Sequence, residues 1–245
     1  MSEQALGPFE RLVRKLRMRW PLSEADIAAI QRLPLHIKSV PNHTTIVAEG
    51  ARPNQSFVLL DGLVCRSKAT NAGRRQILSF HVAGDIPDLQ SLHLHIMDHD
   101  VSSLGPCSIA HVAHIHLREL VTEHPQVANA LWRDTLIEAA MFREWILNVG
   151  RRSAEQRMAH LFCEIADRLD AVGLAHGGVY ELPLTQIDLA DALGLSAVHV
   201  NRVLQEIRGR GLIEFQKSTL LVKDAAGLRL LGEYDPLYLH NDPAS

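Results

Sequence analysis

The sequence has few cysteines and no long hydrophobic run. Only 3 of its 245 residues are cysteine, and Cys65, Cys107 and Cys163 have no CxxC spacing, which argues against a disulfide framework or a cysteine-rich metal centre. No stretch approaches the roughly 20 apolar residues of a spanning helix, and the first residues lack the apolar core of a signal peptide. These absences predict a soluble protein of the reducing cytoplasm.

The sequence also lacks a strong excess of charge of either sign. Its net charge is -3, so a surface that binds nucleic acid would have to be a local patch. No phosphate loop, paired-carboxylate motif or local Ser/His/Asp grouping stands out, and we assign no catalytic residue. The hydrophobic content of 47% and the length favour two domains with substantial cores.

The segment 1–34 is predicted to form two short helices. Ser23 is placed to cap the second of them. The first is indicated by apolar residues at helical spacing, namely Phe9, Leu12, Val13 and Leu16.

The segment 35–118 consists of short apolar or alternating runs separated by turn residues. Asp61-Gly62 is typical of a tight hairpin between two strands, and Gly73 ends a longer loop. This pattern predicts an antiparallel, jelly-roll-like β-roll.

A long helix with a hinge is predicted over 119–150, since Gln126 to Val149 contains neither glycine nor proline. Its apolar residues surround most of the circumference, so more than one side must be covered. Either the roll covers one side and a partner helix the other, or the helix is central in a monomer. Gly150 is the predicted hinge. The predicted dimerisation residues are Leu131, Ile137, Met141, Phe142, Trp145 and Val149.

The segment 151–245 carries the most specific pattern. Thr185 precedes a helix and Asp188 follows three residues later, as in a capping box. Gly194 is suited to a left-handed turn, and Ser196 is placed to cap the next helix. This order predicts a helix-turn-helix, whose second helix enters the major groove of DNA.

The exposed side of that second helix has the chemistry to read bases. Arg202 can donate a bidentate pair to guanine, Asn201 can read adenine or bind phosphate, and Ala197 or Val198 can touch a thymine methyl. Two short strands in "GLIEFQKSTLLVKD" predict a wing that meets phosphates. The predicted DNA-binding residues are Thr185, Ser196, Ala197, Val198, His199, Asn201, Arg202, Gln205, Arg208 and Lys217.

The chain resembles the Crp/Fnr superfamily of bacterial transcription regulators over nearly its whole length. The resemblance lies in three segments in this order: "FVLLDGLV", "RRQILSFHVAGD" and "LTQIDLADALGLSAVHVNRVLQEIRGRGLI". The resemblance implies an α+β fold with a sensor β-roll, a long dimerisation helix and a C-terminal winged helix-turn-helix. It also implies a homodimer on two-fold symmetric double-stranded DNA, contact with RNA polymerase if the protein activates, and no membrane partner. Ala197 and Val198 replace the family's usual arginine and glutamate, so we expect an unusual operator.

The predicted sensor departs from the cyclic-nucleotide cassette of that family. Relatives that bind cyclic nucleotides have Gly-Glu-Leu followed by an Arg-Ser or Arg-Thr pair, whereas this chain has Gly84-Asp85-Ile86 and, near the expected pair, Asp100. A carboxylate repels a cyclic phosphate, so we expect neither cyclic AMP nor cyclic GMP, and the cofactor stays unassigned. No cysteine precedes Cys65, and no iron-sulfur cluster is expected.

The run "LHLHIMDHD" lies in this altered cassette. In a strand, His93 and His95 would share a face, and with His99 they are candidate ligands for a metal or haem. His111, His114 and His116 would add donors on a later strand. The alternatives are the polar face of a half-buried strand and, from another class, a cupin-like metalloenzyme. The candidate effector-pocket residues are Asp85, Asp88, His93, His95, His99 and Asp100.

Two of the cysteines also allow two interpretations. Cys65 and Cys107 lie within predicted strands. They are either redox switches or small core residues.

Overall fold

The computed structural model describes residues 7–241, so the ends of the predicted segments 1–34 and 151–245 lie outside the described residues. Across 7–241, no helix combines the length and apolar character needed to cross a membrane. The chain divides into two compact units. Among the described residues, the first comprises 7–66, His81–Glu138 and 240–241, and the second comprises Ser67–Phe80 and Ala139–Leu239.

Two helices precede the strands, as predicted. Helix α1 spans Glu10–Arg19 and helix α2 spans Glu24–Gln31. The hydroxyl of Ser23 accepts a hydrogen bond from the backbone of Asp26, whose carboxylate accepts one from the backbone of Ser23 in return. Apolar residues of both helices are buried in one core of the first unit together with Phe9, which precedes α1; those of the helices include Leu12, Val13, Leu16, Ile27 and Ile30.

Seven strands follow, which confirms the predicted β-rich segment. They are β1 (His36–Val40), β2 (Thr45–Val47), β3 (Gln55–Asp61), β4 (Val64–Ala69), β5 (Arg75–His81), β6 (Asp100–Ser103) and β7 (Cys107–Ala113). One sheet has the order β1-β7-β3, and the other has the order β2-β6-β4-β5. Phe57, Leu59 and Ile109 are fully buried between them in a second core.

The turn at Asp61-Gly62 differs from the predicted hairpin. It links β3 and β4, which belong to different sheets. Gly62 has φ +89, and a Cβ there would lie 2.7 Å from both Cys107 Cβ and the Pro106 carbonyl oxygen. The glycine therefore serves a left-handed backbone and a close approach between chain segments.

Helix α3 (Ser91–Leu94) lies between β5 and β6. Two further helices, α4 (His114–Glu123) and α5 (Pro125–Arg151), separate the strands from the C-terminal part. The long helix was predicted to begin at Glu119, which is wrong, because Pro125 separates α4 from α5. His124 leaves the helical region with φ -124 and ψ 78, as residues before proline do, and Pro125 is suited to the first turn. Helix α5 runs through Gly150, and the hinge stays a prediction.

The second unit contains the predicted winged helix-turn-helix. Its elements are α6 (Ala154–Ala171), β8 (Val179–Glu181), α7 (Gln186–Leu193), α8 (Ala197–Gly209), β9 (Ile213–Gln216), β10 (Thr219–Val222), α9 (Ala225–Leu231) and a 3-10 helix (Pro236–Leu239). The sheet order is β8-β10-β9. Phe162 of α6 packs on Phe215 of β9 with ring centroids 5.7 Å apart, so the wing shares a core with the helices.

Candidate nucleic-acid interface

Capping residues define the two helices of the helix-turn-helix. The Thr185 hydroxyl accepts a hydrogen bond from Asp188 N at 3.1 Å, and Asp188 Oδ2 accepts from Thr185 N at 3.0 Å. Gly194 ends α7 in the left-handed region with φ 66 and ψ 38. Ser196 then caps α8 by accepting from His199 N at 3.2 Å. All four local predictions are confirmed, because each depends on residues only a few positions apart.

The inner face of α8 is fixed by apolar packing. Val200, Val203, Leu204 and Ile207 are buried, as predicted. Leu189 and Leu193 bury the facing side of α7. This packing leaves the opposite face of α8 to solvent.

The outer face of α8 forms an open concavity with the start of α7. Val198 is 83% exposed, and Asn201, Arg202 and Gln205 are exposed beside it. Sequence reasoning missed two residues that line this surface, Gln186 and Glu206. Gln186 directly follows the cap of α7, and that position was the available signal. The full lining is Gln186, Ala197, Val198, Asn201, Arg202, Gln205 and Glu206.

The polar groups on this face interact only weakly with one another. Arg202 Nε lies 3.8 Å from Glu206 Oε1, and the Arg202 side chain is 67% exposed. Gln205 Nε2 donates to Asn201 Oδ1 over 3.4 Å. Long contacts of exposed groups contribute little to stability, so these side chains can exchange them for contacts with DNA.

Two residues at the wing were predicted to bind DNA, and they differ in their surroundings: Lys217 is exposed, whereas Arg208 binds the wing backbone. Lys217 and Ser218 join β9 to β10 with φ +47 and +64, the two left-handed residues of a type I′ hairpin. Lys217 is exposed at that tip. The guanidinium of Arg208, predicted to bind DNA, instead donates to the Phe215 carbonyl of the wing. We therefore reassign Arg208 to holding the wing against α8.

The candidate effector residues of the first unit differ in exposure and in their contacts. Asp85 and Asp88 are buried, whereas His93 and His95 are exposed. Asp100 Oδ1 accepts from the Glu49 backbone at 2.7 Å. Each of these groups has its own surroundings, and the effector pocket stays a prediction.

A buried ionic cluster occupies the cassette region instead. Lys15 Nζ lies 2.7 Å from Asp85 Oδ1 and 2.8 Å from Asp134 Oδ2, and Asp134 also pairs with Arg19. Burial alone would lower the pKa of Lys15, but Asp134 and Asp85 outweigh it and raise that pKa. The lysine thus stays charged inside the protein.

Arg66 extends the charged region beside this cluster. Its Nε donates to the Pro87 carbonyl at 2.7 Å, and Nη1 lies 3.1 Å from Glu138 Oε2. Burial, and secondarily Arg66, lowers the pKa of His81 to about 4. His81 is therefore neutral near pH 7.

The histidine-rich run is not a strand. His93 lies in α3, and His95 follows it in a left-handed conformation with φ 54. His99 is buried, with Nδ1 2.8 Å from Asp98 Oδ1 and Nε2 3.3 Å from the Gln90 amide. The prediction that His93 and His95 share a strand face is wrong, because α3 and the left-handed turn replace the strand.

The later histidines also divide between elements. His111 lies in β7, but His114 and His116 lie in the first turn of α4. His114 Nε2 lies 3.1 Å from the hydroxyls of both Ser56 and Ser91. Within the described part of the chain, no group of three or more His, Cys, Asp or Glu is arranged to hold a metal ion.

The cysteines have the surroundings of core residues. Cys65, Cys107 and Cys163 are not joined by disulfides, and all are buried. Burial, with Asp61 adding to it, raises the pKa of Cys107 to about 11. Because the thiolate is the reactive form, this environment favours the core role for Cys107.

Helix α5 buries most of the residues that were predicted to contact a partner. Leu131, Ile137, Met141 and Trp145 are each at most 8% exposed within the chain. Trp145 Nε1, for example, donates to both carboxylate oxygens of Glu164 at 3.1 Å. These four assignments are wrong, because the side chains pack against their own chain. Phe142 is exposed and Val149 is half-buried.

A different apolar set is exposed on α5. It consists of Trp132, Leu136, Ile146 and Leu147. The helical repeat places these four residues on one face. We call them the α5 seam.

A strand-rich sensor, a long helix and a winged helix-turn-helix with an open recognition face define a class of DNA-binding transcription regulator. Residues 37–124 match the cyclic nucleotide-binding domain, and residues 156–231 match the Crp-like helix-turn-helix domain. The chain belongs to the Crp/Fnr family of transcription regulators.

Similar proteins cover most of the chain. The nitrogen fixation regulation protein FixK of Azorhizobium caulinodans is 28% identical over 176 residues, which cover 71% of this chain and 70% of that protein. The transcriptional activator protein FnrL of Cereibacter sphaeroides is 26% identical over 215 residues, covering 85% and 84%. The solved structure of FixK2 from Bradyrhizobium japonicum has a TM-score of 0.74 at 25% identity, covering 83% of this chain and all of that one.

Proposed function

We propose that this regulator acts as a homodimer in the cytoplasm and reads a two-fold symmetric operator with α8. The observation that carries the proposal is the outer face of α8, where Val198, Asn201 and Arg202 are exposed opposite a buried apolar face. A guanidinium can pair with O6 and N7 of guanine through two parallel hydrogen bonds. Arg202 is therefore the principal base-reading residue.

The N-terminal turn of α8 sets the remaining specificity. Ala197 and Val198 offer only apolar surface, which suits the methyl group of thymine. Asn201 can donate to and accept from adenine, or bind phosphate. Lys217, exposed at the wing tip, supplies a phosphate contact that positions the domain without reading sequence.

The replacement Arg202→Ala tests this assignment. A duplex enriched from random DNA by the wild-type protein serves as operator, and fluorescence anisotropy measures affinity. We expect a loss of about 1 to 3 kcal/mol in specific binding, because one bidentate base contact disappears. Arg17→Ala, which removes an exposed arginine of α1, should leave affinity unchanged. Equal affinities for the two variants would contradict the assignment.

The α5 seam is the proposed surface for the second copy. Ile146 is 74% exposed and Trp132 is 66% exposed, and apolar side chains that repeat along one helix face form the seam of paired helices. A symmetric pair places the same residues on both partners. This arrangement gives each dimer two recognition helices.

The sensor is proposed to respond to a signal other than a cyclic nucleotide. Support comes from Asp100, which occupies the region of the sequence where the phosphate-binding pair is expected and accepts a hydrogen bond from the Glu49 backbone, and from Arg66, whose guanidinium is already bound by Glu138 and the Pro87 carbonyl. Calorimetric titration with cyclic AMP and cyclic GMP should give no saturable heat, and saturable binding of either would contradict this. Native mass spectrometry of the purified protein can reveal a co-purifying metal, haem or small molecule.

The remaining assignments rest on the family and on similar proteins. FnrL carries the name of a transcriptional activator, and an activator would require contact with RNA polymerase. We assign the chain no catalytic activity and no membrane partner. A reporter gene placed behind the enriched duplex separates activation from repression.

A further inference from the structure

Most of the hairpin formed by β4 and β5 belongs to the same compact unit as the helix-turn-helix. The segment Ser67–Phe80 groups with Ala139–Leu239, although the sequence pattern assigns it to the sensor segment. The turn closes through hydrogen bonds from Thr70 N to the Arg74 carbonyl and from Gly73 N to the Thr70 carbonyl. The hairpin thus brings side chains from the strand-rich segment to the DNA-binding helices.

Arg75, the first residue of β5, binds two carboxylates of α7. Its Nη2 lies 2.6 Å from Asp188 Oδ1, and its Nε lies 2.7 Å from Asp191 Oδ2. The adjacent Gln76 donates from Nε2 to the Ala192 carbonyl at 3.1 Å. One guanidinium therefore holds two successive turns of the first helix of the motif.

The Asp188 carboxylate binds two residues, Thr185 through one oxygen and Arg75 through the other. Its Oδ2 accepts hydrogen bonds from Thr185 N and Thr185 Oγ1, at 3.0 Å and 2.6 Å, which begin α7. Its Oδ1 is left for Arg75, and the Asp188 side chain is only 1% exposed. A buried carboxylate is costly without a cationic partner, so Arg75 supports the residue that caps the helix.

The hairpin is anchored at its other end as well. Arg168 of α6 donates from Nη1 to the Phe80 carbonyl at 2.8 Å. Partial burial disfavours the charge of Arg75, but its hydrogen bonds to Asp191 and Asp188 outweigh burial and raise its pKa. The arginine remains charged over the physiological range, and any displacement of the hairpin acts on α7 through it.

We propose that Arg75 is a positioning residue for operator binding: by holding Asp188 and Asp191, it fixes α7 and thereby the presentation of α8 to DNA. This inference rests on the proposed base-reading role of α8. It adds a residue from the sensor segment that never touches DNA.

The variant Arg75→Gln tests this role, with Arg74→Gln as the matched control, since Arg74 is the neighbouring exposed arginine. Affinity is measured by anisotropy for the enriched duplex and for a scrambled duplex of the same composition. We expect Arg75→Gln to weaken binding to the enriched duplex about tenfold, within the usual range of coupling between sites. Binding to the scrambled duplex and the dimer fraction in sedimentation should not change. Arg74→Gln should match wild type in all three measurements.

Two further variants separate positioning from simple stabilisation. Arg75→Lys keeps the charge but not the planar fork, so its affinity should lie between those of Arg75→Gln and wild type. Combining Arg75→Gln with Asp191→Asn should cost less affinity than the sum of the single losses, because both act through one contact. Circular dichroism at the assay temperature identifies variants that remain folded.

Two outcomes would overturn the inference. One is equal affinity of the folded Arg75→Gln and Arg74→Gln variants for the enriched duplex. The other is a loss by Arg75→Gln that is the same for both duplexes. If Arg202→Ala still loses specific affinity in either case, the function stands and only the role of Arg75 fails.

Discussion

The buried ionisable residues of this protein differ in whether they keep their charge near neutral pH. Lys15 is enclosed by Asp85 and Asp134 and keeps its charge, because the two carboxylates offset the loss of hydration. Asp88 is also buried, but its carboxylate accepts a backbone hydrogen bond from Phe57 at 3.0 Å. Burial raises the pKa of Asp88 to about 7, against the opposing effect of that hydrogen bond. Asp88 therefore titrates near neutral pH.

The titration of Asp88 predicts a pH-dependent stability. Its pKa rises from 3.8 to about 7 on folding, so the native state binds the proton more tightly, and this contribution to the unfolding free energy is lost as the pH rises through that interval. Asp88→Asn keeps the carbonyl acceptor for Phe57 but cannot ionise. Between pH 5 and pH 8, the unfolding free energy of wild type should therefore fall relative to that of Asp88→Asn in urea titrations.

Comparing the two proteins removes the effects of other groups, such as His81, whose pKa falls from 6.5 to about 4 on folding and which therefore acts with the opposite sign within the same pH interval. The exposed carboxylate of Glu123 provides a matched control. Glu123→Gln should follow wild type across the pH range. A constant difference between wild type and Asp88→Asn would refute the assigned pKa.

At the scale of elements, burial divides α5 into two sides. Trp145 and Ile137 face the chain itself, whereas Trp132 and Ile146 face solvent. The helix is apolar on most sides because one side completes its own core and the proposed dimer covers the α5 seam. The apolar residues on both sides recur with the same 3.6-residue helical repeat, so the repeat cannot show which side is buried in the chain and which is exposed.

The α5 seam predicts which substitution separates the dimer. Ile146→Asp places a charge on the proposed interface, where burial would be costly, so sedimentation should show a shift towards monomer. Leu230→Asp is the control, because Leu230 of α9 is 82% exposed but lies outside α5. Wild-type monomer-to-dimer ratios in Ile146→Asp would rule out the seam. Trp145→Asp is not a suitable test of dimerisation, because it would disrupt the contact of Trp145 with Glu164 within the chain.

For the whole molecule, two linked recognition helices predict dependence on half-site spacing. Each helix would enter the major groove in half-sites about 34 Å apart, or about 10 base pairs. Inserting about 5 base pairs between half-sites turns one of them to the opposite side of the duplex. The affinity measured by gel shift should then fall towards that of a single half-site. Inserting one full helical turn instead returns both half-sites to the same side of the duplex. Equal affinity at every spacing would contradict a dimer that binds both half-sites at once.

Local signals were sufficient to predict the elements that position the site. Thr185, Asp188, Gly194 and Ser196 are caps and turn residues whose roles depend on neighbours a few residues away. Alternating apolar residues likewise predicted the strand-rich segment, and the exposed face of α8 followed from its helical repeat. The fold class and most residues on the exposed face of α8 could therefore be predicted.

The sequence was thus enough to predict most of the elements, the helix-turn-helix and the side chains on its exposed face, because these depend on short-range backbone and capping energetics. Tertiary packing alone shows which side of α5 is exposed, that Arg208 binds the wing, and that Arg75 holds α7. Arg75 and Asp188 are 113 positions apart, and no local periodicity records such a pair. Contacts of this kind depend on how whole elements pack, which fixes their partners only once the chain has folded.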